Sequence, residues 1–370
     1  MIIDEWLSAA LRGQPVEWSS PDVSSATLLA TCDTLEVSEL LHHQLSRNPR
    51  LPGWPADVRT ELARRARNSS ARQLVRSAEI AETLDALASC GVRPILFKGA
   101  ALSHLIYDSP ALRPHTDTDL FVRRSDVERI RDILKERGYT EPPMTDGELV
   151  LCQFQMAKTD RLGVEHVLDV HWKVSTQSLF ADVVTYDEMS EAAVPIRALG
   201  ANARGAGGAH ALLLACLHPV MHHRNVDRLI WFYDIHLLVN RLPALEVERF
   251  ASLAIDKRVA GICERQLTKT SACLRTRFPD LLSKRAAAAP PEPSAVYLRD
   301  RRRWHHELWW NLRGLGRWRD RVRLVREVLL PSPQYMLDSY RLGASGVLLL
   351  PVLYVHRSVY GVFKILAGRK

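Results

Sequence analysis

The spacing of apolar residues predicts strands in only one part of the chain and helices in most of the rest. A stripe at helical spacing predicts a helix over 69–90, with Gly91 at its C-cap: Leu74, Ala78, Ala81, Leu84 and Leu87. A second helix is predicted over 99–107. Short apolar or alternating runs predict strands at four places: 94–97, 117–122, 149–156 and 164–174. Strands and helices therefore alternate between about residues 69 and 174.

After about residue 205 the pattern becomes helical, with helices predicted over 210–223 and 226–240. The longest strongly apolar run, 342–355, is shorter than the ~20 residues of a membrane span, so it predicts a buried or interfacial helix. The stretch AAAAPPEP predicts a linker. The predicted division is an N-terminal helical segment 1–68, an α/β core 69–204, a helical domain 205–285, a linker 286–295 and a basic helical region 296–370.

The composition excludes disordered and fibrous proteins, because 46% of the 370 residues are hydrophobic and 25% are charged. The six cysteines are scattered and form no C-x-x-C pair, which argues against a zinc ribbon and a disulfide scaffold. The first residues lack the basic-then-apolar run of a signal peptide. A cytoplasmic protein without a transmembrane span is therefore expected.

Positive charge is concentrated near the C-terminus. Residues 291–370 hold 15 Lys/Arg against 6 Asp/Glu, whereas residues 1–290 hold 35 against 36. This asymmetry predicts an anionic partner: nucleic acid, nucleotide or a membrane surface. The Arg/Trp-rich stretch 299–326 could bind a phosphate backbone with stacking support. The favoured alternative is an amphipathic helix whose tryptophans pack on the protein body while its arginines stay solvated.

The most informative segment contains ILFKGAAL and, shortly after it, RPHTDTDL. Asp117 and Asp119, at i and i+2 on a predicted strand, point to the same face roughly 6.5–7 Å apart. Both carboxylates could then reach two divalent cations ~3.5–4 Å apart, as in two-metal phosphoryl transfer. The alternative is a solvated pair of aspartates at a strand end.

Two further segments add to this pair. Lys98, Gly99 and Ala100 follow an apolar strand and open a helix, where backbone N–H groups bind phosphate; a plain strand-to-helix turn is the alternative. Asp169 lies between apolar residues on a predicted strand. A buried aspartate without a partner is costly, so a functional or metal-paired role is favoured.

Other polar residues near these segments are candidates for substrate contacts. Arg113 could bind a phosphate oxygen or lie on the surface. His171 and Lys173 are predicted to share a strand face with Asp169, which favours a substrate or phosphate contact, although packing is the alternative for His171.

Histidines on the predicted helix 210–223 suggest a metal site at first sight. These histidines are His210, His218, His222 and His223. His218 and His222 lie at i and i+4, but no H-E-x-x-H motif is present, which excludes a zincin and favours a helix-surface histidine cluster. Arg228 and Asp234 lie six residues apart and cannot face each other on one helix. Both structural and substrate-binding roles stay open for them.

The order of these motifs resembles that of the polymerase-β-like nucleotidyltransferase superfamily. K-G-A-A-L, R-P-x-x-D-x-D-L, a helix ending in G-Y, and L-D-V-H-W are similar to the branch of uncharacterised nucleotidyltransferases. R-L-I-W-F-Y-D-I at 228–235 and L-L-P-S-P-Q-Y-M at 329–336 also resemble that branch. The resemblance covers roughly residues 70–340.

The resemblance implies an α/β nucleotidyltransferase core with a small mixed sheet and flanking helices, followed by a mainly helical C-terminal region. Asp117, Asp119 and Asp169 match its metal-binding carboxylates, and Gly99 matches the glycine of its phosphate-binding turn. Ala100 stands where the superfamily usually has serine, so no hydroxyl is present there to bind phosphate.

The implied reaction moves a nucleoside monophosphate from an NTP, with ATP as first choice, to a hydroxyl or phosphate acceptor and releases pyrophosphate. Two Mg²⁺ ions, or Mn²⁺ in their place, are implied. The acceptor stays open between a small molecule, a peptide, a protein and RNA. Two alternatives are a catalytically silent nucleotide or nucleic-acid binding protein of the same fold and a protein that interacts with anionic membranes.

Overall fold

Six strands form one mixed sheet in the part of the chain that the computed structural model describes, namely residues 2–14, 16, 18, 24–47, 53–142, 149–279, 282, 292–298, 304–342 and 344–366. The strands are β1 Ile95–Phe97, β2 Asp117–Phe121, β3 Gln153–Thr159, β4 Glu165–His171, β5 Val194–Pro195 and β6 Arg204–Gly205. Their spatial order is β3-β4-β2-β1-β6-β5. The β2–β4 and β1–β6 pairs are parallel and the others antiparallel.

Helices surround this sheet and make up most of the remaining chain. Those that precede residue 200 are α1 Ile2–Leu11, α2 Ser25–Leu35, α3 Ser38–Arg47, α4 Ala56–Ser89, α5 Lys98–Leu105, α6 Val127–Glu136 and α7 Tyr186–Glu191. Those that follow are α8 Gly208–His222, α9 Leu229–Arg241, α10 Ala244–Asp256, α11 Ala260–Leu274, α12 Trp304–Gly314, α13 Trp318–Leu329, α14 Pro333–Ser339 and α15 Leu350–Leu366. The predicted α/β core with a small mixed sheet and a helical C-terminal region is confirmed.

Helix α4 is much longer than the helix predicted over 69–90. Its apolar stripe continues towards the N-terminus through the buried Leu62 and Val58, and the helix begins directly after Pro55. Its end is as expected: the chain turns at Gly91 with a φ of 78°, which glycine adopts without a steric penalty. The predicted boundary at 68/69 therefore lies within a continuous helix, and the division into domains stays a prediction.

Two apolar clusters hold the described residues together. One joins the N-terminal helices to α8, α9 and α11, through residues such as Leu41, Leu62 and Leu217. The other packs the sheet against the C-terminal half of α4 and against α6, through residues such as Leu87 and Ile130. The sheet is thus fixed from both sides, and the ends of β2 and β4 are held on a rigid support.

The predicted linker and the three arginines 301–303 fall mostly outside the described residues. Of the linker, the described part enters a 3₁₀ helix at Pro293–Leu298. The apolar run 342–355 contributes a 3₁₀ helix at Ala344–Leu349 and the first part of α15. No helix among the described residues is long and apolar enough to cross a membrane.

The tryptophans of the basic region are not all packed on the protein body. Trp310 packs against the larger apolar cluster, with its ring centroid 4.9 Å from that of Tyr297. Trp309 is 54% exposed and Trp318 is also exposed. The prediction of packed tryptophans is therefore confirmed for Trp310 and wrong for Trp309 and Trp318. Trp309 and Trp310 differ because successive helix positions point about 100° apart. Trp318 lies on the exposed side of the next helix, α13.

Trp310→Ala is expected to lower the free energy of unfolding by about 3 kcal/mol. This value is the lower end of the range for large-to-small changes in a protein core, because the Trp310 side chain is half-buried. Trp309→Ala is the matched control and should change stability by less than ~0.5 kcal/mol. Urea unfolding followed by circular dichroism measures both. Equal losses in the two variants would contradict the packing described for Trp310.

Candidate active site

The register of the parallel strands β2 and β4 brings two of the predicted carboxylates side by side. Asp119 pairs directly with Asp169 across the two strands. His171, two residues further along β4, lies on the same face as Asp169 because strand side chains alternate. Ligand atoms of these three side chains all lie within 4.8 Å of one another, and all three residues are buried.

Asp119 is the most strongly bound carboxylate of this group. Its Oδ1 accepts hydrogen bonds from Lys98 Nζ at 2.7 Å and from His171 Nε2 at 2.8 Å. Burial alone would raise the pKa of Asp119, but the charge of Lys98 and the bonds from His171 and Lys98 outweigh it and hold the pKa far below the usual range. Asp119 is therefore ionised at neutral pH.

Lys98 reaches Asp119 from an unusual backbone conformation. It is the first residue of α5, directly after β1, and its φ of 55° lies in the left-handed region. This conformation costs a residue with a side chain about 1–2 kcal/mol. Such strain is commonly retained at functional sites, where it fixes the direction of a side chain.

Asp117 lies two residues before Asp119 on the same face of β2 but is less buried, and it stands outside the compact group. Burial, followed by repulsion from Asp119 and Asp169, raises the pKa of Asp117 to about 6. Lys98 opposes this shift without cancelling it. The three carboxylates thus carry more negative charge than the neighbouring lysine neutralises.

Two glutamines that the sequence pattern did not single out hold the carboxylate of Asp169. Gln155 Nε2 donates to Asp169 Oδ1 at 3.0 Å, and Gln153 Nε2 donates to Oδ2 at 3.1 Å. Both glutamines lie on the neighbouring strand β3, where Gln155 is the direct partner of Asp169. The alternating Q-F-Q pattern was the available signal, since it places two amides on one strand face.

The predicted phosphate-binding turn opens α5 as expected. Gly99 lines the cavity described below, and a Cβ at this position would come 3.4 Å from His115 Cβ. The methyl group of Ala100 is fully buried in the apolar cluster of the sheet, so only its backbone is available to a ligand. The binding roles of these residues stay predictions.

Arg113 is neither a surface residue nor freely oriented. Its Nε and Nη2 bind the carboxylate of Asp234, each with a contact of 2.9 Å, and Tyr107 Oη donates to Asp234 at 2.6 Å. All three side chains are buried. The surface interpretation of Arg113 is therefore wrong, and the proposed phosphate contact has only the Nη1 end available, which bonds to the Pro114 carbonyl.

The remaining predicted contacts differ in their placement. Lys173 lies beyond the end of β4, so strand alternation does not place it beside Asp169, and its role stays a prediction. His171 belongs to the carboxylate group. Arg228 lies over the ring of Trp231, with the guanidinium carbon 5.0 Å from the ring centroid, and forms an ion pair with Glu36.

A cavity of about 690 Å³ opens beside Asp117 and Asp119. Helices α8 and α9 contribute part of its wall, and α2, α3 and α4 contribute another part that the sequence analysis did not assign to the site. His218 and His223 line the cavity and share a hydrogen bond of 3.1 Å between their Nε2 atoms. The expectation of a helix-surface histidine cluster is therefore wrong for these two residues.

Arginines of α4 supply positive charge to the same cavity. Arg72 and Arg76 lie one helical turn apart and both line it. Arg76 Nη1 donates to the carbonyl of His115, while its Nε is buried and lacks a hydrogen-bond partner among the described residues. A buried donor of this kind favours an acceptor group of a ligand.

Comparison with known proteins agrees with this fold. The family model described as "Uncharacterised nucleotidyltransferase" matches residues 21–276, and the chain therefore belongs to that family. The match begins before α2 and ends just after α11, so the segment 329–336 lies outside it. A search of curated proteins found no match to this chain. Membership identifies a transferase that uses NTP as its substrate class.

Proposed function

We propose that the protein is a divalent-metal-dependent nucleotidyltransferase. It moves a nucleoside monophosphate from an NTP to a hydroxyl or phosphate acceptor and releases pyrophosphate, and ATP is the proposed NTP. The observation that carries this proposal is the buried group of Asp119, Asp169 and His171 beside a large cavity. Family membership supports the reaction class. The acceptor stays open between a small molecule, a peptide, a protein and RNA.

The charge of the carboxylate group fits a divalent cation. Oxygen ligands of this kind suit Mg²⁺ and Mn²⁺. Burial, and after it repulsion from Asp119 and Asp169, raises the pKa of Asp117, and a bound cation would relieve the repulsion. Asp117, Asp119 and Asp169 would hold two ions, which neutralise phosphate charge and lower the pKa of the acceptor hydroxyl when bound.

The protein itself supplies positioning and positive charge. Gln153 and Gln155 fix the carboxylate of Asp169, which we assign to the acceptor side of the site. Gly99, near the start of α5, and Arg76 both line the cavity, so the backbone N–H at Gly99 and the guanidinium of Arg76 would donate to phosphate oxygens. The transfer is direct and in line, without a covalent protein intermediate.

We also infer a cytoplasmic location, supported by the six cysteines, which form no disulfide bond with one another. The catalytically silent alternative keeps the same fold and binds nucleotide without turnover. Retention of Asp117, Asp119 and Asp169 argues against it, because a silent protein has no need of three carboxylates that repel one another.

The proposal is tested by incubating the purified protein with Mg²⁺, a cell lysate and each labelled NTP, and reading the products by mass. We expect nucleoside monophosphate adducts and pyrophosphate. Asp169→Ala should lower kcat by about 10²–10⁴-fold, the range for loss of a group that assists proton transfer, with MgATP affinity nearly unchanged. Arg76→Gln should instead raise the KM for MgATP about tenfold through loss of a charge-assisted hydrogen bond.

Arg67→Gln is the matched control for Arg76→Gln, because Arg67 lies on the exposed side of α4 and does not line the cavity. Tight MgATP binding without any adduct or pyrophosphate in all reactions would identify the silent alternative. A loss of MgATP affinity in Asp169→Ala with unchanged turnover of bound nucleotide would contradict the role assigned to Asp169.

A further inference from the structure

Helix α13 turns an apolar stripe towards solvent. Trp318, Val322, Val325 and Leu329 are 68, 58, 38 and 47% exposed, respectively. Their spacing of four, three and four residues places them along one face of the helix. Leu324, on another face, is the buried residue of this helix. The helix is therefore amphipathic with its apolar side facing away from the protein body.

Arginines border this stripe on both sides. At 3.6 residues per turn, Arg319 and Arg326 lie along one edge of the stripe and Arg321 along the other. All three side chains are exposed. In the described part of the chain, Arg319 and Arg326 form no salt bridge.

Helix α15, which contacts α13, shows a second exposed stripe. Val352, Val355 and Val359 recur at i, i+3 and i+7 and all are exposed. Leu348 and Val347, in the turn before this helix, are exposed as well. Exposed apolar surface of this extent on adjacent helices is unusual and marks an interaction site.

The net positive charge of the same region favours an anionic partner. Residues 304–366 hold 9 Lys/Arg against 4 Asp/Glu. A basic polar border around an aliphatic and tryptophan-containing stripe is the pattern of helices that lie in the interface of an anionic bilayer. Nucleic acid would use the arginines but offers no environment for valine and leucine. Stripe-to-stripe pairing of two copies would bring their arginine rows together.

We propose that α13 and α15 form a membrane-docking surface for anionic phospholipid. The apolar stripe Trp318, Val322, Val325 and Leu329 enters the boundary between headgroups and acyl chains, and the bordering arginines contact lipid phosphates. Since no described helix can span a bilayer, the attachment is peripheral. This surface lies outside the cavity and does not depend on the proposed reaction.

Vesicle flotation of the full-length protein tests the proposal. We expect binding to phosphatidylcholine vesicles that contain about 30% phosphatidylserine, and weak binding to pure phosphatidylcholine, because anionic lipid attracts basic segments. Added salt should weaken the binding. Arg319→Gln with Arg326→Gln should reduce affinity for the anionic vesicles about 25-fold, at about 1 kcal/mol for each arginine.

The double variant Val322→Ser with Leu329→Ser should also bind the anionic vesicles more weakly. The binding that remains should still weaken when salt is added. Leu162→Ser with Leu245→Ser is the matched control, because these leucines are even more exposed than Val322 and Leu329 but lie outside the basic region. Affinity that is unaffected by the Val322/Leu329 changes overturns the proposal. A dimer, detected by light scattering, that the Val322/Leu329 changes dissociate would also overturn the proposal. Salt-sensitive binding to RNA without binding to vesicles would overturn it as well.

Discussion

Replacing Asp117 by asparagine is expected to stop nucleotide transfer and, at the same time, to stabilise the metal-free protein at neutral pH. A raised pKa means that the folded protein holds the ionised carboxylate less favourably than the unfolded chain does. Stability is therefore lost as the pH rises from about 4 to about 6. Above that pH, asparagine should add up to about 3 kcal/mol to the free energy of unfolding, since a shift of about two pKa units corresponds to roughly 1.4 kcal/mol per unit.

Thermal unfolding at pH 5 and pH 8 in the presence of a chelator measures this effect. The gain in Asp117→Asn should be larger at pH 8, and Mg²⁺ should reduce it because the ion stabilises only the wild type. Transfer should fall by more than ~10²-fold, because the loss of a metal ligand should exceed the ~10–100-fold loss typical of changes to the partners of such ligands. Asp132→Asn, an exposed change on α6, is the control.

Two results would distinguish the role of Asp117 in the metal site from its effect on stability. Unchanged turnover in Asp117→Asn would remove Asp117 from the metal site even if the stability effect appeared. A stability gain that is equal at both pH values would show that the pKa of Asp117 is not raised in the folded protein, and the raised pKa could then no longer support a bound cation.

Local alternation was sufficient to predict much of the carboxylate site. Asp117 and Asp119 share a strand face because i and i+2 positions always do, and the buried strand around Asp169 was visible as an apolar run. The pairing of Asp119 with Asp169 across β2 and β4 follows from sheet register, which the spacing within one strand does not contain. It was expected only through the resemblance to nucleotidyltransferases.

The cavity walls were harder to predict, because they depend on packing between distant segments. Arg113 and Asp234 lie 121 residues apart, and the sequence analysis tested Asp234 only against Arg228 on the same helix. The apolar stripe of α4 predicts which face is buried. It does not show that Arg72 and Arg76 line a cavity, because the other walls of that cavity come from α2, α3, α8 and α9, which are distant in the sequence.

The buried ion pair is the other place where a single change should have a large effect. Asp234→Ala leaves the Arg113 guanidinium in the interior without its carboxylate and removes the acceptor of Tyr107. Breaking one side of a buried pair costs about 3–5 kcal/mol of stability. We expect a corresponding fall in the midpoint of urea unfolding, or loss of the folded protein at moderate temperature.

The double variant Arg113→Met with Asp234→Leu separates structure from substrate binding. Replacing both partners by apolar side chains of similar size removes the uncompensated charge, so most of the lost stability should return. If Arg113 serves only the fold, this variant should bind MgATP with the wild-type affinity. If the Nη1 end beside Gly99 also contacts a phosphate, the folded double variant should bind MgATP about tenfold more weakly, as for the loss of one charge-assisted hydrogen bond. The double variant leaves no unpaired charge in the interior. If it were no more stable than Asp234→Ala, the stability would depend on the shape and hydrogen bonds of the Arg113–Asp234 pair and not on the balance of its charges.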